Sequence, residues 1–129
     1  MLGTFASACG SEAATAPVVT SVVGTWTLTS LNGKPLPFVY QASDPKLELV
    51  SKQYVIASGG TFTTSFTLRG TELDGTVNTT TASDAGTQTL ANNTVTFTYR
   101  SDGSLVVGQA TATTITIPSG AGDQVFTKQ

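Results

Sequence analysis

The strictest constraint on this chain is a period of two. Across residues 61–69, Phe62, Phe66 and Leu68 share one face with Thr64, while Thr61, Thr63, Ser65, Thr67 and Arg69 fall on the other. The same alternation runs through residues 25–30 with Trp26 and Leu28, 46–49 with Leu47 and Leu49, and 53–57 with Tyr54 and Ile56. It returns in residues 94–100 with Val95, Phe97 and Tyr99, in 104–109 with Leu105 and Val107, and in 113–117 with Ile115 and Ile117. Successive side chains of a strand point to opposite faces, so each run reads as a half-buried strand. The 25 Thr and 12 Ser among the 129 residues then form the outer faces, where a β-branched hydroxyl residue favours extended backbone and meets water.

Turn residues punctuate these runs. Asn32-Gly33, Ser58-Gly59-Gly60, Asp74-Gly75, Asp84-Ala85-Gly86, Ala91-Asn92-Asn93, Ser101-Asp102-Gly103 and Ser119-Gly120-Ala121-Gly122 supply positions that tolerate positive φ. No window carries helical spacing, and Ala42-Ser43-Asp44 is a single turn at most. Residues 76–82 lack large apolar side chains and read as the weakest strand, an edge or a flap. The count predicts an all-β fold, an antiparallel up-and-down β-barrel of about eight to ten strands, because closure removes the edges of a long meander. A two-sheet β-sandwich would serve the same alternation and is the alternative.

Composition narrows the chemistry. Six Lys+Arg against eight Asp+Glu give a net charge of −2, which leaves no electrostatic footprint for nucleic acid. With no His and one Cys there is no Ser/His or Cys/His pair and no Cys/His zinc site. Asp44, Asp74, Asp84, Asp102 and Asp123 fall in predicted turns without calcium-loop spacing, and Glu48 and Glu72 read as solvated cross-strand partners. We therefore expect neither an enzyme nor a cofactor or metal, and a monomer.

The first twenty residues differ from the rest. A short apolar start ends in Ala6-Ser7-Ala8-Cys9, and a Ser/Ala/Thr/Pro stretch follows to Pro17. Small residues before the only Cys resemble a bacterial lipobox, which implies lipidation at Cys9 and a place in the cell envelope. That place is the outer membrane or cell surface, or the protein is secreted. Residues 1–20 then read as a truncated leader and flexible tether, and 21–129 as the folded domain. No apolar run of about 18 residues occurs, so the membrane is met through the lipid anchor alone.

Val22-Val23-Gly24-Thr25-Trp26-Thr27-Leu28 is similar to the Gly-x-Trp signature of the calycins, the superfamily of lipocalins and fatty-acid-binding proteins. The resemblance implies a barrel closed at its narrow end by Gly24 and Trp26, with a basic residue of the last strand, Lys128, packed across the Trp. Residues 26–35 also weakly resemble the start of META-type envelope domains. There is no Arg-x-Tyr pair near the C-terminus to hold a fatty carboxylate, and the Pro-rich segment 33–45 is too short for two lid helices.

Two functional readings follow. In the first, an envelope binding module holds a small hydrophobic ligand inside the barrel, lined by Trp26, Phe38, Tyr40, Tyr54, Phe62, Phe66, Phe97 and Tyr99. In the second, these aromatics fill the core of a structural or interaction domain. Thr64 and Gln88 fall on apolar faces by alternation, and a polar group turned inward needs a partner.

Overall fold

The computed structural model describes residues 18–129, so Cys9 and the lipobox-like segment lie outside the described residues. Nine strands follow in order: β1 (Gly24–Leu31), β2 (Phe38–Gln41), β3 (Lys46–Ile56), β4 (Thr61–Thr71), β5 (Val77–Ala91), β6 (Thr94–Tyr99), β7 (Leu105–Ala110), β8 (Thr114–Ile117) and β9 (Gln124–Lys128). Each antiparallel neighbour pair from β3 to β9 is consecutive in sequence, and β1 joins β9 on one side and β3 on the other. The ring therefore closes through eight strands, with β2 as an addition beside β3. A closed ring rules out the two-sheet sandwich and gives the lipocalin-like up-and-down barrel.

Local chemistry explains the tight connections. Asn32-Gly33 and Asn92-Asn93 occupy φ of 53° and 74°, and 51° and 66°, the paired positive values of a two-residue hairpin turn. Asp74 and Asp102 accept hydrogen bonds from the backbone N–H groups of Thr76 and Ser104, both at 2.9 Å, and so fix two further turns.

The inward faces of the strands build one core. Trp26, Leu28 and Leu31 of β1 meet Tyr54 and Ile56 of β3, Phe62 of β4, Val95 and Phe97 of β6, Ile115 and Ile117 of β8, and Phe126 of β9. Four rings lock together, with centroid separations of 4.4 Å for Tyr54–Phe97, 4.9 Å for Phe62–Phe97 and 5.1 Å for Tyr54–Phe126. Aromatic pairs at this spacing add about 0.5–1.5 kcal/mol each beyond their burial.

The structure departs from the sequence reading in four places. Residues 46–49 and 53–56 belong to one strand, β3, bent by a bulge between Leu49 and Ser51, and Leu47, read as inward-facing, is exposed. β2 is a strand inside the segment read as a Pro-rich loop, and residues 42–44 form a bend. Asp84-Ala85-Gly86, read as a turn, lies inside the longest strand, β5, whose first half is the edge expected at residues 76–82. In β7 the register is shifted by one: Val106, Gly108 and Ala110 face inward, while Leu105 and Val107 are exposed. Gly108 decides that register. A Cβ there would sit 2.9 Å from Ile117 Cγ1 and 3.1 Å from Ile115 Cγ2, so only glycine fits against β8.

Candidate functional site: the closed end and the mouth of the barrel

The two ends of the barrel are built differently. At one end Trp26, 1% exposed, donates its indole N–H to the Val22 carbonyl at 2.8 Å. Lys128, its partner across the β1–β9 ladder, holds its Nζ 5.7 Å from the Trp26 ring centroid. Gly24 leaves room for that lysine, because a Cβ on it would approach Lys128 Cε to 3.1 Å. Gly24, Trp26 and Lys128 are thus brought together, and with Val22 they plug this end.

Above the plug the interior is solid. Trp26, Tyr54, Phe62, Phe97 and Phe126 are each exposed by 2% or less. Side chains so thoroughly enclosed border no hollow large enough for a water, let alone a ligand. Of the inward polar groups, Thr64 donates its hydroxyl to the Gln53 carbonyl at 2.8 Å and has its partner. Gln88 Oε1 is buried and unpaired. Tyr54 and Tyr99 share a hydroxyl–hydroxyl hydrogen bond across the barrel. Burial first, and then the Tyr99 ring hydroxyl, push the Tyr54 phenol far above its ordinary value, and burial also raises Tyr99.

The opposite end is open on one side. β3 pairs with β1 through residues 53–56 and with β2 through Leu47, Glu48 and Leu49, so Val50, Ser51 and Lys52 have neither neighbour on that edge. Lys52 shares the inward face with Tyr54 and Ile56 and reaches into this gap. Its Nζ donates to Gln124 Oε1 at 3.1 Å and stands 5.9 Å and 6.0 Å from the Tyr54 and Phe126 ring centroids. Burial lowers its pKa. Among the described residues the ion pairs join Glu48 to Arg69 and Lys46, and none involves Lys52.

Two hollows meet at this lysine. One of about 170 Å³ is lined by Tyr40, Leu49, Lys52, Phe66 and Leu68. An outer, polar one of about 240 Å³ is lined by Thr27, Ser51, Lys52, Gln53 and Ser65. Larger grooves lie away from the mouth, one of about 320 Å³ beside Val18, Val19 and Lys128 and one of about 330 Å³ along the Lys34–Val39 side.

The eight aromatics named from sequence therefore separate. Trp26, Tyr54, Phe62 and Phe97 are core, Tyr99 is half-buried beside them, Tyr40 and Phe66 stand at the mouth, and Phe38, in edge contact with Tyr40 at 5.3 Å, lines the groove on the Lys34–Val39 side. Lys52 and Gln124 escaped the sequence reading, and Leu49 and Leu68, read there as inward-facing, were not named among the lining residues. The available signal was the alternation Lys52, Tyr54, Ile56, which places a lysine on an inward face.

Glu48 also differs from its expected solvated role. It is 6% exposed, and its Oε1 accepts from Arg69 Nη2 at 2.9 Å and Nε at 3.1 Å. The unforeseen β2 brings Val39 to its other side. Among the described residues no cluster of three potential metal ligands forms, and no helix is long and apolar enough to cross a membrane. Comparison with protein-family models, curated proteins and solved structures finds no match.

Proposed function

We propose that this barrel is a binding module for small anionic amphiphiles, held at the mouth and not in the interior, and carried in the cell envelope on its N-terminal tether. The observation that carries the reading is Lys52: among the described residues its ammonium has no carboxylate partner, and it stands in the wall of a hollow beside Leu49, Phe66 and Leu68. A buried cation is costly unless it is paired, and the single Gln124 carbonyl uses only one of its three N–H donors. A carboxylate, sulfate or phosphate head group satisfies the rest, while an apolar tail lies on Leu49, Phe66 and Leu68. The hollow is smaller than the ~300 Å³ of usual ligand cavities, so the tail is short or runs outward past Tyr40. The envelope part of the reading rests on the lipobox-like Ala6-Ser7-Ala8-Cys9.

Calorimetric titration with octanoate and octanol tests it. We expect octanoate to bind and octanol to bind more weakly, and Lys52→Gln to weaken octanoate about tenfold or more, the worth of one charge-assisted hydrogen bond. Affinity should fall as pH rises through the lowered Lys52 pKa, because the neutral amine no longer attracts the anion. Equal binding of acid and alcohol, or an unchanged affinity in Lys52→Gln, contradicts the reading. A filled, purely structural barrel is the second reading, favoured by the close-packed ring cluster, and it predicts binding of neither compound.

A further inference from the structure

β5 is 15 residues long, yet β6 pairs only with its residues 86–91. One further bond, from the Arg100 N–H to the Ala85 carbonyl at 2.8 Å, extends that contact by a residue. Among the described residues the strand before Ala85 pairs with β4 alone and stands beyond the closed ring, exposed at every position from Val77 to Thr81.

The direction of its free backbone groups follows from parity. Gln88 N–H donates to the Gly60 carbonyl on the β4 side, whereas the Ala85 carbonyl faces β6. Alternate residues of an antiparallel ladder bond to alternate sides. Val77, Thr79, Thr81 and Ser83 therefore turn their N–H and C=O groups toward the open edge.

Natural sheets blunt such an edge with charge, proline or a bulge. None of these is present here: residues 75–83 carry no charged side chain and no proline, and the β4–β5 ladder runs without a register shift from Thr61 to Val77. We propose that this edge joins two copies of the chain, pairing residues 77–83 antiparallel about a twofold axis at Thr80. The structure thus points to self-association in place of the monomer expected from sequence.

About this axis only Thr79-Thr80-Thr81 reads the same in both directions. Thr79 lies opposite Thr81, Val77 opposite Ser83, and Asn78 opposite Ala82, so every outward N–H and C=O of this stretch finds a partner. Thr–Thr pairs across strands are favourable. The nearest charges, Asp74 and Asp84, fall opposite Gly86 and Thr76, so no like charges meet. That self-neutrality selects a second copy over a charged partner strand. The junction is far smaller than a standard interface of ~1,600 Å², so the dimer is weak.

Sedimentation of the full-length chain over concentrations up to about 1 mM tests the proposal, since that range detects association of about 4 kcal/mol. Wild type should show a concentration-dependent monomer–dimer equilibrium. Thr80→Lys and Thr80→Glu each place like charges face to face at the axis and should weaken the dimer about tenfold. An equimolar mixture of the two should restore it. Thr80 is exposed, so neither change disturbs the core. A monomer throughout the range, or a dimer indifferent to both charges, overturns the proposal.

Discussion

Trp26 combines three demands that few side chains satisfy. It fills the closed end, its indole N–H finds the Val22 carbonyl, and its ring lies under Lys128. Truncation removes the volume and leaves Val22 and Lys128 without their partner. Trp26→Ala should therefore destabilise the barrel by about 3–5 kcal/mol in urea unfolding, as for other buried aromatic deletions. A loss below about 1 kcal/mol would show that the ring does not close the barrel. Lys52 is the counterpart at the open end. Trp26 is satisfied by its surroundings, whereas Lys52 is held among rings with one neutral acceptor, and that difference marks the mouth as the chemically incomplete end of the molecule.

At the scale of elements, the Tyr54–Tyr99 bond joins β3 to β6 across the interior. Both phenols have raised pKa values in the fold, burial being the first cause for each. The unfolded chain ionises its tyrosines near pH 10, while the native state retains the protons. Above that pH the unfolded state binds fewer protons, so the tyrosine contribution to stability, complete below about pH 10, is lost as pH rises beyond it. Lys52 acts in the opposite sense, since its lowered pKa removes a cost as pH climbs toward the unfolded lysine value. Denaturation midpoints should thus fall more steeply above about pH 10 in wild type than in Tyr54→Phe. Parallel curves would mean that the pair is not buried as a neutral unit.

The elements also show what alternation conveys. β4, β6 and β8 each have one apolar and one hydroxyl face and were legible residue by residue. β5 was faint because its first half has no buried face at all, so no hydrophobic period is imposed on it. β7 offers apolar residues in both registers, Leu105 and Val107 or Val106 and Ala110, and the choice belongs to the space beside Gly108. β2 has only Phe38-Val39-Tyr40-Gln41 between prolines, and its partner on β3 is set by tertiary pairing. The mouth depends on that strand: Tyr40 lines the hollow from β2, and the gap at Val50 to Lys52 exists because β1 and β2 divide the β3 edge between them. The site was less legible than the fold for this reason. Of the named aromatics Trp26, Tyr54, Phe62 and Phe97 are core residues, whereas Tyr40 is exposed on β2, and alternation does not distinguish a packed ring from a lining one.

For the whole molecule, the two ends have separate assignments. The chain reaches β1 through Val18 to Val22 at the Trp26 end, where the Val19 N–H donates to Asn93 Oδ1 at 2.7 Å. In the full-length gene, Cys9→Ala should move the protein from the membrane to the soluble fraction, and unchanged fractionation would remove the lipid anchor from the account. The division of labour between a solid interior and a receptive mouth is tested most directly by heteronuclear NMR titration with octanoate. Chemical-shift changes should concentrate at Tyr40, Leu49, Lys52, Phe66 and Leu68, with Tyr54, Phe97 and Val95 little altered. Shifts centred on the buried rings, or none at saturating octanoate, would contradict it.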